Sequence, residues 1–112
     1  DAPVESCAPM PAIYSAVTRT DLEGWPKGGM QPEEKLSVYE ALCLFSKNIP
    51  YAVGGEVCTG TLEVGKFAEM AVLDRDIFAI PPEEILQVQV LRTMLAGKDT
   101  WKCDAAFSEE EV

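Results

Sequence analysis

The sequence predicts an α+β fold, with helices in its first half and strands in its second. A capping box opens a helix near residue 37, a nearly continuous apolar run near residue 70 is typical of a strand, and a glycine turn near residue 97 predicts a hairpin. Because helices precede strands and do not alternate with them, the pattern is that of an α+β protein and not of βα units.

Composition limits both the size of the fold and the class of partner. The chain has 112 residues, the size of one ordinary domain, and 47% of them are apolar. Its net charge is −10, with 19 acidic residues against 9 basic ones. This balance argues against binding to nucleic acid or to an anionic membrane, since both require clustered Lys and Arg. No apolar run is long enough to predict a membrane span.

Two helices are expected in the first half. Ala12–Val17 follows a proline and places Ile13 and Val17 on one face. The second helix begins at Ser37, where Ser37 and Glu40 form the S-x-x-E capping box. We expect it to run to Lys47 and to stop before Pro50, with an apolar face made by Val38, Leu42, Phe45 and Ile49.

The segments around the second helix are predicted to be irregular. Asp21–Gln31 is rich in glycine and reads as a long loop, and loops of that length in compact domains are often functional. Pro32–Leu36 predicts a short acidic turn. Tyr51–Thr59 is expected to be a connection, because Gly54 and Gly55 weaken any regular structure there.

The second half is expected to form strands. Leu62–Lys66 predicts a turn around Gly65, and Phe67–Leu73 predicts a strand whose continuous apolarity indicates burial on both faces. After a rigid proline turn at Ile80–Glu84, Leu86–Leu95 predicts a second strand. Ala96–Lys98 is a hairpin turn, and Asp99–Cys103 would return antiparallel.

The cysteines lie far apart, at Cys7, Cys43, Cys58 and Cys103. Their spacing lacks the close pairs of a zinc or redox motif, so a zinc site made from all of them is a minor alternative. Cys43 is expected to be a small buried residue of the second helix. Scattered thiols and an opening segment without a basic or apolar run predict a reduced, cytoplasmic protein without a signal peptide.

Residues 60–74 carry the most specific pattern in the chain, G-x-L-E-x-G-K-x-A-[DE]-x-x-V-L-D. This pattern closely resembles a signature near the C-terminus of metal-dependent amidohydrolases, in particular the long amidohydrolase-3 branch. Several other segments resemble the same branch in the same order: D-x-P-V at residues 1–4, A-V-T-R at 16–19, L-[ST]-x-x-E-A-L at 36–42, and V-x-x-T-x-x-x-G-K at 90–98. Asn48 and Tyr51-Ala52 match only in part, because Pro50 replaces a small residue.

The resemblance implies where this chain would sit in a larger enzyme. Residues 1–50 resemble the end of the catalytic barrel with its last helix, and residues 51–107 resemble the β-rich C-terminal part of a composite sandwich or roll domain. Residues 108–112 form an acidic tail. The missing N-terminal part of the enzyme would then be a partner, and uncovered strand edges predict a homo-oligomer of the isolated chain.

The resemblance also implies site residues. The aspartate of D-x-P-V is Asp1, and its implied role in an intact enzyme is catalytic, ligating metal or accepting a proton from metal-bound water. The implied cofactor is a divalent metal, zinc being expected, with none expected in this chain alone. Arg19 and Trp25 border the glycine-rich loop and are candidates for substrate binding. For the isolated chain, an exposed terminal Asp1, a solvated Arg19 and a packing Trp25 are the simpler alternatives.

Three functional hypotheses remain open from the sequence. The first is the C-terminal segment of an amidohydrolase that acts on non-peptide C–N bonds, the segment itself being inactive. The second is a stand-alone, non-catalytic interaction module. The third is a small enzyme built on the acidic pairs Glu33/Glu34 and Glu83/Glu84, which is disfavoured because sequence neighbours do not face each other on a helix. Lys66 and Lys98 are expected to be solvated turn residues, and Glu63 is assigned no chemistry.

Overall fold

A computed structural model describes residues 2–104 of the chain. The helices are α1 (Pro9–Thr18), α2 (Val38–Phe45) and α3 (Asn48–Val53), with 3₁₀ helices at Pro32–Glu34 and Pro82–Gln87. The strands are β1 (Met70–Leu73), β2 (Val90–Leu95) and β3 (Lys98–Lys102), which form one antiparallel sheet in the order β1-β2-β3. The α+β prediction is thus confirmed at the level of helices followed by a small antiparallel sheet.

The chain divides into two compact units that are not contiguous in sequence. One unit contains the described residues up to Phe45 together with Ile77–Val88, and the other contains Ser46–Asp76 together with the described residues from Gln89 onward. The division predicted at residue 50 assigns residues 77–88 to the β-rich part of the chain. That division concerns the parts of a larger enzyme, and it stays a prediction. The acidic tail at 108–112 lies outside the described residues.

The first unit contains the core. α1 packs against α2 and against the 3₁₀ helix Pro82–Gln87. Ile13 and Val17 are buried on one face of α1, as the periodicity predicts, and Tyr14 joins them. The buried apolar residues among those that the structure describes all lie in this unit: Ile13, Tyr14, Val17, Ala41, Cys43, Ile77, Ile85 and Val88.

The second predicted helix is correct at its start and wrong at its end. Ser37 and Glu40 form the capping box: the Ser37 amide donates to Glu40 Oε2 at 2.8 Å, and the Glu40 amide donates to Ser37 Oγ at 3.2 Å. The helix ends at Phe45, and Pro50 lies inside α3 instead of stopping it. Proline is tolerated there because the first-turn amides of a helix have no intrahelical acceptor.

The predicted apolar face of that helix is wrong at its C-terminal end, whereas Val38 and Leu42 are half-buried. Phe45 and Ile49 are 43% and 53% exposed, whereas Ala41 is fully buried and Cys43 is buried as expected. The break between α2 and α3 ends the helical register at Phe45, so Ile49 no longer shares a face with Val38 and Leu42.

The predicted strand at Leu86–Leu95 begins too early. Pro82–Gln87 is a 3₁₀ helix with a proline in its first turn, and the strand starts only at Val90. The buried residues are Ile85 and Val88, three positions apart, which is the repeat of a 3₁₀ helix and not the alternation of a strand. Packing against α1 therefore determines this segment more than its β-branched composition does.

The strand predicted at Phe67–Leu73 is shortened, and its burial on both faces is wrong. Only Met70–Leu73 pairs with β2, and Ala71 and Val72 are exposed. The reason is topological: β1 is an edge strand of a three-stranded sheet. The turn at Gly65, with a φ of +97°, and the hairpin between Leu95 and Lys98 agree with the sequence. The return strand is Lys98–Lys102, one residue earlier than predicted.

Candidate functional site

A closed loop follows α1 and carries both candidate substrate-binding residues. Arg19 ends the helix in the left-handed conformation (φ 59°), and its amide donates to the Ser15 carbonyl at 2.8 Å. The Arg19 Nε donates to the Met30 carbonyl at 2.9 Å, and the Met30 amide donates to the Arg19 carbonyl at 2.8 Å. The guanidinium also donates to Gln31 Oε1 at 3.1 Å. These bonds hold the two ends of the loop together.

Gly29 allows the chain to come this close. Its φ is +87°, and a Cβ at this position would meet the Thr18 carbonyl oxygen closer than real Cβ atoms approach any heavy atom. The same Cβ would lie 3.0 Å from the Lys35 Cε and 3.1 Å from the Arg19 Cβ. Only glycine meets both conditions, a positive φ and a close carbonyl.

Trp25 is presented by a turn built on Asp21. One carboxylate oxygen, Asp21 Oδ1, accepts from the Glu23 amide at 3.0 Å and from the Trp25 amide at 2.9 Å. The Asp21 amide in turn donates to the Trp25 carbonyl at 2.8 Å. The backbone of Trp25 is fixed by these bonds, while its side chain is 66% exposed. The alternative of a packing tryptophan is therefore not what the structure shows.

Arg19 and Trp25 line one shallow depression of ≈ 660 Å³. Met30 adds an exposed apolar side chain and Asp21 adds a carboxylate, so the depression presents both signs of charge beside an indole ring. The other lining residues are Ser15, Thr20 and Pro26. Substrate binding by Arg19 and Trp25 stays a prediction, and two of the guanidinium nitrogens already hold the loop. Asp1, the predicted catalytic and metal-binding residue, lies outside the described residues.

A second cleft in the same unit was not foreseen from the sequence. Its wall contains three hydroxyl groups in contact: Thr18 Oγ1 lies 2.9 Å from Thr20 Oγ1, which lies 3.0 Å from the Tyr14 phenolic oxygen. Thr18 also donates to the Tyr14 carbonyl at 2.8 Å. The i, i+4 spacing of Tyr14 and Thr18 was visible in the sequence, but the fold of the loop that brings Thr20 to them was not.

The turn residues of the β-containing unit have structural partners. Lys66 is bonded to Glu63 Oε2 at 3.0 Å and to Thr61 Oγ1 at 2.8 Å, and its side chain is only 17% exposed. The expectation of a solvated Lys66 is therefore wrong. Because Lys66 and Thr61 donate to the Glu63 carboxylate, they hold its pKa below the usual value.

Across residues 2–104, no three His, Cys, Asp or Glu side chains come together in a way that would hold a metal ion. Cys7 and Cys58 are exposed, Cys43 is buried, and Cys103 is intermediate. Nor does any helix in that range have the length and apolarity needed to cross a membrane.

The resemblance read from residues 60–74 is supported by comparison with known proteins. The model of the amidohydrolase family matches residues 1–100. The chain belongs to the amidohydrolase family. No solved structure matches it significantly.

Two curated relatives agree with this family membership. The chain is 34% identical to an N-substituted formamide deformylase of Arthrobacter pascens over 97 residues, which cover 87% of this chain and 17% of the relative. It is 31% identical to the putative amidohydrolase YtcJ of Bacillus subtilis (strain 168) over 98 residues, which cover 88% of this chain and 18% of the relative. This amidohydrolase-family chain thus spans less than a fifth of the length of the relatives it matches.

Proposed function

We propose that this chain is the C-terminal segment of an amidohydrolase that hydrolyses a non-peptide C–N bond, such as an amide or formamide, with metal-activated water. The observation that carries the proposal is the family match over residues 1–100, together with the small share of each relative that this chain covers. The segment would supply the last barrel helix and part of a composite β-domain, and the intact enzyme would be cytoplasmic.

The metal-ligating side chains of this chain support the proposal that the segment alone is inactive. The chain has no histidine, and its described residues do not assemble a metal site of their own. A divalent metal, with zinc as the expected ion, would be held by residues of the intact enzyme, and Asp1 is the residue of this chain that we assign to it. We propose no step that this chain would carry out on a metal alone.

The first test is the size of the native gene product, measured by blotting the source cells with an antibody raised against this chain. A band several times larger than the 12.2 kDa of this chain is expected. The full-length protein is then assayed for metal content and for release of formate from N-substituted formamides. Asp1→Asn in that protein should abolish turnover, while Glu33→Gln, which changes an exposed carboxylate with no predicted role in the reaction, should leave it unchanged. A native band at the size of the chain would overturn the proposal.

A second candidate function is a stand-alone interaction module derived from an amidohydrolase. The observation that favours it is the surface of the unit that contains the sheet, in which none of the described residues is buried. Its most exposed apolar side chains are Tyr51, Val53, Val57, Leu62 and Val64, each at least 73% exposed. Apolar surface of this extent is typical of an interface, either with the rest of an enzyme or with another protein.

For the isolated chain, we propose that the free edge of β1 pairs with a second copy. Met70–Leu73 contains neither a charged residue nor a proline, whereas β3 at the opposite edge carries Lys98, Asp99 and Lys102. Charges on an edge strand oppose pairing with another chain, so the uncharged edge is the one expected to pair. A native band at 12.2 kDa together with a dimer in solution would favour the module over the enzyme segment.

A further inference from the structure

The cleft beside the Tyr14 hydroxyl is built from one unit of the protein and has a volume of ≈ 280 Å³. This lies at the small end of the range for ligand pockets, roughly 300–1,000 Å³, and suits a group of a few atoms. Its lining consists of Tyr14, Val17, Thr18, Thr20, Gly24, Lys27, Gly28, Lys35, Pro82 and Glu83.

Two lysine side chains of the cleft have no partner within residues 2–104. Neither the Lys27 nor the Lys35 ammonium makes a hydrogen bond or an ion pair there, although the chain carries 19 acidic residues against 9 basic ones. By contrast, Lys66, Arg75, Arg92 and Lys102 are all paired with carboxylates. With the Glu83 carboxylate included, the two lysines leave the lining of the cleft with a net charge of +1, which a bound anion would neutralise.

The cleft also contains hydrogen-bonding groups in fixed positions. Tyr14 is only 4% exposed, so packing holds its ring, and its hydroxyl lies against Thr20 at 3.0 Å. Gly28 lines the cleft with a φ of +84°, and its amide has no acceptor within the described residues. The loop that carries Lys27 and Gly28 is held closed by the bonds between Arg19 and Met30.

We propose that this cleft binds a small oxyanion, either a carboxylate or a phosphate group, between Lys27 and Lys35. An oxyanion accepts hydrogen bonds from ammonium, hydroxyl and amide groups. The lining of this cleft contains all three kinds of group. Glu83 also lines the cleft, and its carboxylate opposes an anion. The cleft borders the depression lined by Trp25, since Thr20 belongs to both linings, and the proposal does not depend on amide hydrolysis.

The test titrates the 112-residue chain with inorganic phosphate and, separately, with acetate, while sodium chloride keeps the ionic strength constant. Amide chemical shifts of Gly24 and Gly28 report on binding in this cleft, and calorimetry gives the affinity. Saturable shifts with either anion are expected. The anion that binds with the higher affinity shows whether the cleft prefers a carboxylate or a phosphate group. Shifts that rise linearly without saturation for both anions would overturn the proposal.

Charge-changing variants make the test specific. Lys27→Gln and Lys35→Gln should each weaken binding by about three- to fivefold, the loss expected for one exposed charge contact. Lys98→Gln removes an exposed lysine of the hairpin, outside this cleft, and should leave the affinity unchanged. Glu83→Gln should strengthen binding, a gain that a merely unfolded or damaged variant would not show. Equal effects of Lys27→Gln and Lys98→Gln would contradict a site in this cleft.

Discussion

Arg19 and Met30 bond to each other in both directions: the Arg19 Nε donates to the Met30 carbonyl at 2.9 Å, and the Met30 amide donates to the Arg19 carbonyl at 2.8 Å. The pair closes a loop whose other members include the exposed Trp25 and the cleft residues Lys27 and Gly28. The depression lined by Trp25 and the cleft lined by Lys27 thus share a loop that Arg19 helps to close. Arg19 is the residue that the sequence predicts to bind substrate.

Replacing Arg19 with lysine should loosen this loop without changing the net charge. A lysine ammonium has no planar fork and cannot reproduce the paired bonds to Met30 and Gln31. We expect faster hydrogen exchange of the amides of Gly24, Trp25 and Gly29, measured by mass spectrometry. Lys98→Arg, an exchange of the same residue types on the hairpin, serves as the control. Unchanged exchange in the loop would show that the backbone bonds alone hold it.

Gly29→Ala should destabilise the protein more than Gly28→Ala does. Both glycines have a positive φ, +84° at Gly28 and +87° at Gly29, so both variants incur backbone strain. Only at Gly29 would the new Cβ meet a carbonyl oxygen, that of Thr18, since nothing lies within 4 Å at Gly28. Urea denaturation should therefore place Gly29→Ala lower in unfolding free energy by about 1–3 kcal/mol. Equal midpoints for the two variants would contradict the close approach.

The capping box predicts a loss of stability and a change in its pH dependence. Ser37→Ala removes the acceptor for the Glu40 amide and should cost about 0.5–2 kcal/mol of unfolding free energy. The Ser37 amide and hydroxyl donate to Glu40 and lower the pKa of that carboxyl. The contribution of the Glu40 carboxylate to the free energy of unfolding is therefore present above the ordinary glutamate pKa of 4.5. It is lost as the pH falls through the lower pKa of the folded state. In Ser37→Ala this acid-dependent loss should shrink, which urea midpoints between pH 3 and pH 7 would measure.

Asp99 links β2 to β3 electrostatically. It accepts from the Arg92 Nη2 at 3.0 Å and pairs with the Lys102 Nζ at 2.8 Å. Arg92, followed by Lys102, lowers the pKa of Asp99 from 3.8 to about 2. A depressed carboxyl pKa stabilises the fold above pH 3.8, and this contribution disappears as the pH falls from 3.8 toward 2.

Asp99→Asn should consequently be less stable than the parent chain at neutral pH and equally stable near pH 2. Thermal unfolding monitored by circular dichroism at several pH values would measure this convergence. Glu33→Gln removes an exposed carboxylate that makes no hydrogen bond or ion pair within residues 2–104, so its curve should run parallel to that of the parent. A constant gap between Asp99→Asn and the parent at every pH would contradict the assignment.

Val72→Lys should abolish self-association through the edge of β1. Val72 is 39% exposed on a strand without charges, and a lysine there would place like charges together across a β1–β1 pairing. Sedimentation velocity should show a dimer for the parent chain and a monomer for the variant. Val53→Lys, a change at a 79% exposed valine of α3, should keep the dimer. A parent chain that stays monomeric at high concentration would contradict the proposed pairing.

Local chemistry determined the features that the sequence predicted correctly. The Ser37–Glu40 capping box, the Gly65 turn, the Leu95–Lys98 hairpin and the buried face of Ile13 and Val17 each arise from residues close together in the chain. The signature at residues 60–74 likewise gave the family, because it is a contiguous pattern. Such features need no knowledge of what packs against them.

Tertiary packing decided the rest. The segment Pro82–Gln87 is a 3₁₀ helix that packs on α1 with Ile85 buried, although the sequence predicted a strand from Leu86 onward. The apolar strand β1 lies exposed because it is an edge of its sheet, which no local pattern reveals. The cleft with Lys27 and Lys35 includes part of the loop that Arg19 and Gly29 close, which brings together residues far apart in the chain. Sequence by itself established the family and the local turns, whereas burial and the grouping of charges depend on contacts between residues distant in the chain.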